Sequence, residues 1–160
     1  MFELFRKNPT YLDFNQDLSR WNTSAVTNMH AMFDGATYFN GDLSRWDTAA
    51  VTSMQAMFRG AGAFTGDLSR WDTAKVKYMQ SMFYEAQAFN GDLSRWDTAA
   101  VTNMQSMFNG ATNFDQDLRN WEVSQVTNCQ AVFIGSVMSE PNEPNWSACD
   151  PAPPPPSMAP

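Results

Sequence analysis

Five tryptophans recur at a constant interval of 25 residues: Trp21, Trp46, Trp71, Trp96 and Trp121. Leu43 lies three residues before Trp46, and side chains three apart face opposite sides of an unbroken strand. If Leu43 points inward, Trp46, Trp71 and Trp96 form an exposed aromatic platform for sugar rings or a partner chain. The alternative is a bend that buries each indole in the core. Burial is favoured, because five exposed indoles would form an apolar patch that is unusual in a soluble monomer.

Acidic residues form two further columns that could hold cations. The first is Asp17, Asp42, Asp67, Asp92 and Asp117, and the second is Asn22, Asp47, Asp72, Asp97 and Glu122. Oxygen ligands at regular spacing suit Ca²⁺, but the glycine-rich pattern of calcium-binding β-rolls is absent from the sequence. Asp and Asn side chains also cap turns, and an arginine column could pair with them: Arg20, Arg45, Arg70 and Arg95. The sequence favours capping and ion pairing, and we predict no metal site.

Catalytic chemistry has little support in the sequence. His30 is the only histidine, and the other units carry glutamine at its position, so we expect a solvated side chain. No nucleophile and base form a recognisable pair. The methionine columns that begin at Met29 and Met32 have helical spacing and are typical of core filling. We therefore predict that the chain is not an enzyme and uses no cofactor.

Two columns differ between units and could determine which partner is bound. One is Ala25, Ala50, Lys75, Ala100 and Gln125, and the other is Asp34, Arg59, Tyr84, Asn109 and Ile134. The third unit departs most from the others. Its candidate partner-binding patch consists of Lys75, Lys77, Tyr78, Tyr84 and Glu85. The alternative interpretation is neutral variation on a solvated face.

One 25-residue unit positions all of these residues. Six of its positions are unchanged in five copies, with no insertion or deletion; in the second copy they are Phe39, Asp42, Leu43, Trp46, Val51 and Phe58. A fixed period of this length predicts stacked coils that pack only on their neighbours.

Each coil is predicted to contain a short parallel strand and a short helix. In the second copy the strand is Leu43 to Trp46. A helix is indicated by apolar residues at offsets of three, four and seven: Met54, Met57, Phe58 and Ala61. Ser53 precedes it as an N-cap. The expected fold class is an α/β repeat solenoid, leucine-rich-repeat-like, with five 25-residue coils.

Three segments are expected along the chain. Residues 1–13 form a degenerate N-terminal cap, residues 14–138 form the five coils, and residues 139–160 form a proline-rich tail that is extended or disordered. Cys129 and Cys149 can form one disulfide that pins the C-terminal segment over the last coil. In the alternative, Cys129 is a small core residue in a methionine column.

The net charge of −7 bears on partners and location. It argues against nucleic acid and against anionic membrane surfaces as partners. No apolar run approaches the roughly 18 residues of a membrane span. The first residues lack the order of a signal peptide. An extracellular protein would thus need a leader beyond this sequence, and the other possibility is that the chain stays inside the cell.

The string FNGDLSRWDTAAVTNMQSMFNGA, residues 89–111, resembles the 25- to 26-residue repeat of bacterial surface proteins. That family of unknown function was first described from mycoplasmas and is grouped with BspA-like leucine-rich-repeat surface proteins. The resemblance covers Phe14 to about Gly135. It implies a cell-surface or secreted setting, a role in adhesion or protein recognition, and no catalytic residues. The alternatives are a structural spacer and a carbohydrate-binding solenoid with a tryptophan ladder. The expected partner is a protein or glycan of unknown identity.

Overall fold

A computed structural model describes residues 15–146 and Cys149, and in it the repeat units lie one behind another in register. Single-residue parallel bridges join each unit to the next: Asn28 to Ser53, Ser53 to Tyr78, Tyr78 to Asn103 and Asn103 to Asn128. Each residue therefore lies beside the residue 25 positions further along, and a unit packs on the unit before it and the unit after it.

The predicted α/β leucine-rich-repeat-like solenoid, with a strand and a helix in each coil, is wrong. The described residues contain no α-helix and no strand longer than a single bridge, and their one helical element is a 3₁₀ turn at Glu140–Asn142. The predicted strand from Leu43 to Trp46 is a turn, in which the Trp46 N–H donates to the Leu43 carbonyl at 3.1 Å. Each unit is thus a succession of turns.

The segment that was predicted to be helical makes two kinds of hydrogen bond in alternation. The Met57 N–H donates to the Met54 carbonyl three residues back at 3.2 Å, whereas the Met54 N–H donates to the Tyr78 carbonyl of the next unit at 2.9 Å. Ala56 (φ 53°) and Gly60 (φ 69°) are left-handed, which interrupts a right-handed helix. The predicted buried face is nevertheless right, because each of its four side chains is fully buried: Met54, Met57, Phe58 and Ala61.

The hydrogen bonds between units are polarised along one part of each unit, which we call the donor segment (residues 29–35, 54–60, 79–85, 104–110 and 129–135). Four N–H groups of the second donor segment donate to unit three: those of Met54, Ala56, Phe58 and Gly60. The equivalent four groups donate onward from units one, three and four. All four N–H groups therefore point towards the following unit, and the carbonyls that they meet point back.

Two phenylalanine ladders fill the centre of the stack. In the first, ring centroids of successive units are 5.5–5.7 Å apart: Phe33, Phe58, Phe83, Phe108 and Phe133. In the second they are 5.9–6.0 Å apart: Phe39, Phe64, Phe89 and Phe114. The two ladders stack on each other, with Phe83 and Phe89 only 4.1 Å apart. Offset stacking of this kind adds to the free energy gained by burying the rings.

A threonine column links the units and changes identity where the repeats stop. The hydroxyl of Thr48 donates to the Asp72 carbonyl of the next unit at 2.9 Å, and Thr23, Thr73 and Thr98 make the equivalent bond. The fifth unit has Val123 at this position, and its side chain is buried. No sixth repeat follows to accept a hydrogen bond, so an apolar side chain avoids a buried hydroxyl without a partner.

The segment after the fifth unit packs on that unit. The Leu118 N–H donates to the Asn142 carbonyl at 2.8 Å, and the ring of Trp146 lies 6.4 Å from that of Phe133. The disulfide predicted between Cys129 and Cys149 is confirmed, with the two Cα atoms 6.0 Å apart. The predicted N-terminal cap, residues 1–13, and the proline run of residues 153–156 lie outside the described residues. The described part of the chain offers no helix with the length and hydropathy needed to cross a bilayer.

Candidate functional site

The tryptophan column lies inside the stack. Trp46, Trp71 and Trp96 expose only 3–4% of their surface, and their rings stack 6.4 Å apart. Each indole N–H donates to a carbonyl of the preceding unit, as Trp71 Nε1 does to the Leu43 carbonyl at 3.1 Å. The exposed aromatic platform is therefore wrong for these three residues, because neighbouring rings already cover their faces.

The acidic columns cap turns within each unit. Asp67 Oδ1 accepts the Ser69 N–H at 2.9 Å, and Asp72 Oδ1 accepts the Ala74 N–H at 3.0 Å. Hydrogen bonds from the Ser69 N–H and hydroxyl, together with the charge of Arg70, lower the pKa of Asp67. Among the described residues no group of three or more side chains is arranged to hold a metal ion. The columns thus stabilise local backbone.

Arg119 holds the pKa of Asp117 below its ordinary value, and we expect Arg119→Ser to raise it. Arg119 replaces the serine of the other units, and its Nε and Nη2 donate to the carboxylate at 2.9 and 2.6 Å. These bonds lower the pKa of Asp117 from 3.8 to about 2. Because the folded pKa is depressed, the stability that Asp117 contributes is present above pH 3.8 and is lost as the pH falls towards 2.

An NMR titration of the carboxyl carbons measures this effect. Asp67, which keeps its serine, is the internal control and should titrate identically in both chains. An Asp117 pKa that does not change in the Arg119→Ser chain would show that the ion pair is absent in solution.

The structure brings together two of the five residues of the predicted patch. Tyr84 and Glu85 line a cavity of about 110 Å³ with Asp34 and Arg59 of the two preceding units. Lys75, Lys77 and Tyr78 are exposed, but they do not line this cavity. The patch therefore divides into a cavity part and a separate exposed part.

An ion pair between a buried aspartate and a partly exposed arginine lines this cavity, and the sequence analysis missed it. Arg59 Nε and Nη2 donate to the two carboxylate oxygens of Asp34 at 2.8 and 2.6 Å. The Asp34 side chain is 1% exposed and the Arg59 side chain 38%. Hydrogen bonding to Asp34 raises the pKa of Arg59 despite its partial burial, with smaller effects of Tyr84 and Glu85. The sequence did contain a signal for this ion pair, because Asp34 and Arg59 have opposite charges and lie 25 residues apart, which is one repeat length.

A second cavity, of about 290 Å³, shares Asp34 and Arg59 with the first and is also lined by His30, Gln55 and Ser81. We call the two cavities together the Arg59 cleft. His30 is half-buried instead of solvated, and its Nδ1 is buried without a hydrogen-bond partner in the described part of the chain. Buried polar atoms usually have partners, so this nitrogen is an exception among the residues that line the cleft.

Glu85 adopts a backbone conformation that the other units give to glycine. Its φ is 55°, whereas the equivalent residues Gly35, Gly60, Gly110 and Gly135 have φ of 69–75°. A side chain in the left-handed region costs about 1–2 kcal/mol. Every unit has one left-handed alanine or serine, such as Ala56 and Ser81, and the third unit therefore carries a second strained residue at the edge of the Arg59 cleft.

These observations define a repeat protein in which similar 25-residue units stack in register and a few variable side chains form a cleft. The chain belongs to the DUF285 family, Mycoplasma protein of unknown function, whose model matches residues 1–104 and again residues 61–149. The predicted kinship with mycoplasma-type repeats is thus confirmed. Neither the curated proteins nor the solved structures include a significant match. Because disulfides persist in oxidising compartments, the Cys129–Cys149 bond indicates a location outside the cytosol.

Proposed function

We propose that this chain is a non-enzymatic recognition module that binds a partner protein through the Arg59 cleft, in a secreted or cell-surface setting. The invariant columns stabilise the stack, as the buried tryptophans and the turn-capping aspartates illustrate. One of the two columns that differ between units supplies three residues of the cleft, Asp34, Arg59 and Tyr84, and Glu85 replaces a glycine beside them. A partner-specific surface would be expected at these positions.

The strained backbone of Glu85 is the observation that carries the proposal. Glycine would relieve the strain and stands at the same position in four units. Strained residues that persist are concentrated at ligand-binding and active sites. The retention of a charged side chain at the edge of a cleft is explained if that side chain contacts a partner.

The chemistry of the cleft suits protein recognition. The guanidinium of Arg59 is fixed by its two hydrogen bonds to Asp34, and it remains partly exposed. Arginine and tyrosine are enriched among the residues that dominate binding energy at interfaces. Glu85 adds a negative charge beside that cation. A partner segment that offers a carboxylate or a carbonyl to Arg59 and a donor to Glu85 would match this pattern.

A non-enzymatic role is supported by the scarcity of catalytic groups. The chain has one histidine and two cysteines, and both cysteines are joined in the disulfide. Neither thiol is therefore available as a nucleophile. His30 lies beside an aspartate that already pairs with Arg59.

A labelled chain that is applied to arrays of proteins and of glycans tests the proposal. We expect protein ligands, and we expect Tyr84→Ala and Glu85→Gly each to weaken their binding about tenfold or more. Tyr38→Ala is the matched control, because Tyr38 is a 60% exposed tyrosine outside the cleft. Ligands found only among glycans, or binding that survives both cleft substitutions, would refute the proposed site. An absence of any ligand would favour a structural spacer.

Glu85→Gly is expected to raise the free energy of unfolding even as it weakens binding. Removal of the left-handed strain should raise the free energy of unfolding by about 1–2 kcal/mol. The greater flexibility of glycine in the unfolded chain should lower it by about 0.5–1 kcal/mol. Urea denaturation measures the net gain. Gly60→Glu is the reciprocal control, since Gly60 holds the same place in unit two with φ 69°, and it should destabilise. If Glu85→Gly lowers stability, strain does not explain this position.

A further inference from the structure

The turn that begins at Asn22 differs from its counterparts at two positions. Units two, three and four read Asp-Thr-Ala at residues 47–49, 72–74 and 97–99, whereas unit one reads Asn-Thr-Ser at residues 22–24. An amide thus replaces the carboxylate, and a hydroxyl is added two residues later. Together the two replacements create Asn-x-Ser, the sequence pattern at which N-linked sugars are attached to secreted proteins.

The fold does not require either replacement. Asn22 Oδ1 accepts the Ser24 N–H at 3.1 Å, and Asp47 Oδ1 accepts the Ala49 N–H at the same distance. Asparagine and aspartate cap this kind of turn in the same way. The threonine between them also bonds identically, because the hydroxyls of units one and two each donate to the next unit at 2.9 Å. Stacking therefore does not explain why unit one departs from the others here.

The asparagine amide is accessible in the folded stack. Asn22 and Ser24 are both exposed, and the Ser24 hydroxyl donates to Asn22 Oδ1 at 2.8 Å. The amide oxygen thus accepts two hydrogen bonds within its own turn, whereas the amide nitrogen donates to no other described residue. The neighbouring Trp21 is 36% exposed. A bulky group on the nitrogen of Asn22 would therefore extend into solvent without displacing a packed side chain.

The disulfide is an independent indication of the compartment that this modification requires. The Cys129–Cys149 bond is typical of proteins that leave the cytosol. Asparagine-linked sugars are likewise found on surface loops of secreted proteins. A chain that meets the conditions for the first modification is therefore exposed to the conditions for the second.

We propose that Asn22 carries an N-linked glycan. An amide nitrogen is a weak nucleophile, so a transferase must bind the Asn-x-Ser segment together with an oligosaccharide that is activated as a lipid-linked diphosphate. Nδ2 of Asn22 forms a bond to the anomeric carbon of the sugar, and the bond from that carbon to the diphosphate oxygen breaks. The nitrogen gives one proton to a base of the transferase, and the lipid diphosphate leaves with the electron pair.

The glycan would lie outside the Arg59 cleft. Neither Asn22 nor Ser24 lines either of its two cavities. The inference therefore does not depend on the function proposed for the cleft, and the two can fail separately. Loss of the glycan should leave binding at the cleft unchanged.

Peptide mapping by mass spectrometry tests the proposal on the full chain isolated from the cells that make it. Treatment with peptide-N-glycosidase in water that carries heavy oxygen converts a glycosylated asparagine to a labelled aspartate. We expect this label at Asn22 in the majority of copies. An Asn22 that is unmodified in every copy would overturn the proposal. So would a label found only at Asn145, which begins the other Asn-x-Ser segment.

Three substitutions in a secreted form of the full chain supply matched controls. Asn22→Asp and Ser24→Ala each restore the residue of units two to four, so both chains should fold, and each should lose the glycan. Glu122→Asn completes the same pattern in unit five, where Val123 and Ser124 already follow and where Glu122 and Ser124 are exposed. It should add a second glycan.

Unchanged circular dichroism in the Asn22→Asp and Ser24→Ala chains would show that any loss of the glycan does not arise from misfolding. A label that persists at Asn22 in the Ser24→Ala chain would contradict the proposal, because the transferase would then not be reading this hydroxyl.

Discussion

Phe83→Ala is expected to lower the free energy of unfolding by about 3–5 kcal/mol, the range for a large aromatic side chain in a core. Phe83 is fully buried, and its ring contacts rings in units two and four: Phe58 at 5.6 Å, Phe89 at 4.1 Å and Phe108 at 5.5 Å. Alanine leaves a cavity that these rings cannot fill, because the backbone hydrogen bonds between units hold them in register. Urea denaturation, followed by circular dichroism, measures the loss.

Two substitutions serve as controls for Phe83. Tyr38→Ala removes an aromatic ring that is 60% exposed, and it should change the free energy of unfolding by no more than about 0.5 kcal/mol. Phe133→Ala removes the last member of the same ladder, which is only partly buried, and its cost should be clearly smaller than that of Phe83. Equal losses at Phe83 and Phe133 would contradict a continuous ladder.

A break at Phe83 should also change how the chain unfolds. In a stack, each unit is stabilised by its interfaces with two neighbours. Loss of the central interface leaves two shorter stacks, so we expect a broader denaturation transition in Phe83→Ala than in the unsubstituted chain. A transition of unchanged width would show that the units on either side remain coupled without this ring.

The period and the buried positions could be predicted from the sequence, whereas the backbone conformation could not. Met54, Met57, Phe58 and Ala61 are buried as their spacing predicts, but turns that close by bonds three residues back produce the same spacing as a helix. Ala56 is the decisive residue, because its φ of 53° prevents a helix although alanine favours one. The hydrogen bonds to the next unit override this helical preference. A local sequence pattern does not reveal those bonds.

The candidate site was predictable in part. Tyr84 and Glu85 were found because they break the repeat. The pairing of Arg59 with Asp34 required the register of the stack, since it joins residues 25 apart in sequence. Burial of the tryptophans, which the sequence favoured, is observed. The alternative of an exposed platform does not hold, because Leu43 and Trp46 are joined by a turn and alternation along a strand does not apply to them.

Removal of the Cys129–Cys149 disulfide is expected to lower the free energy of unfolding by about 2–4 kcal/mol. The bond closes a loop with a sequence separation of 20 residues, for which the chain-entropy model gives about 3 kcal/mol. The loss should be greatest at the C-terminal end, because the bond holds the segment that packs on unit five. Cys149→Ser, compared with the unsubstituted chain in urea with and without reductant, measures it.

Cys129→Met in the Cys149→Ser chain separates the cross-link from packing. Cys129 occupies a column that holds Met29, Met54, Met79 and Met104 in the other units, all fully buried. Methionine therefore restores the side chain that the core accommodates elsewhere, without restoring the bond. We expect it to recover less than half of the lost stability, because the C-terminal segment remains free to separate from Phe133. Full recovery would mean that Cys129 acts through its volume, and that the disulfide is dispensable for the end of the stack.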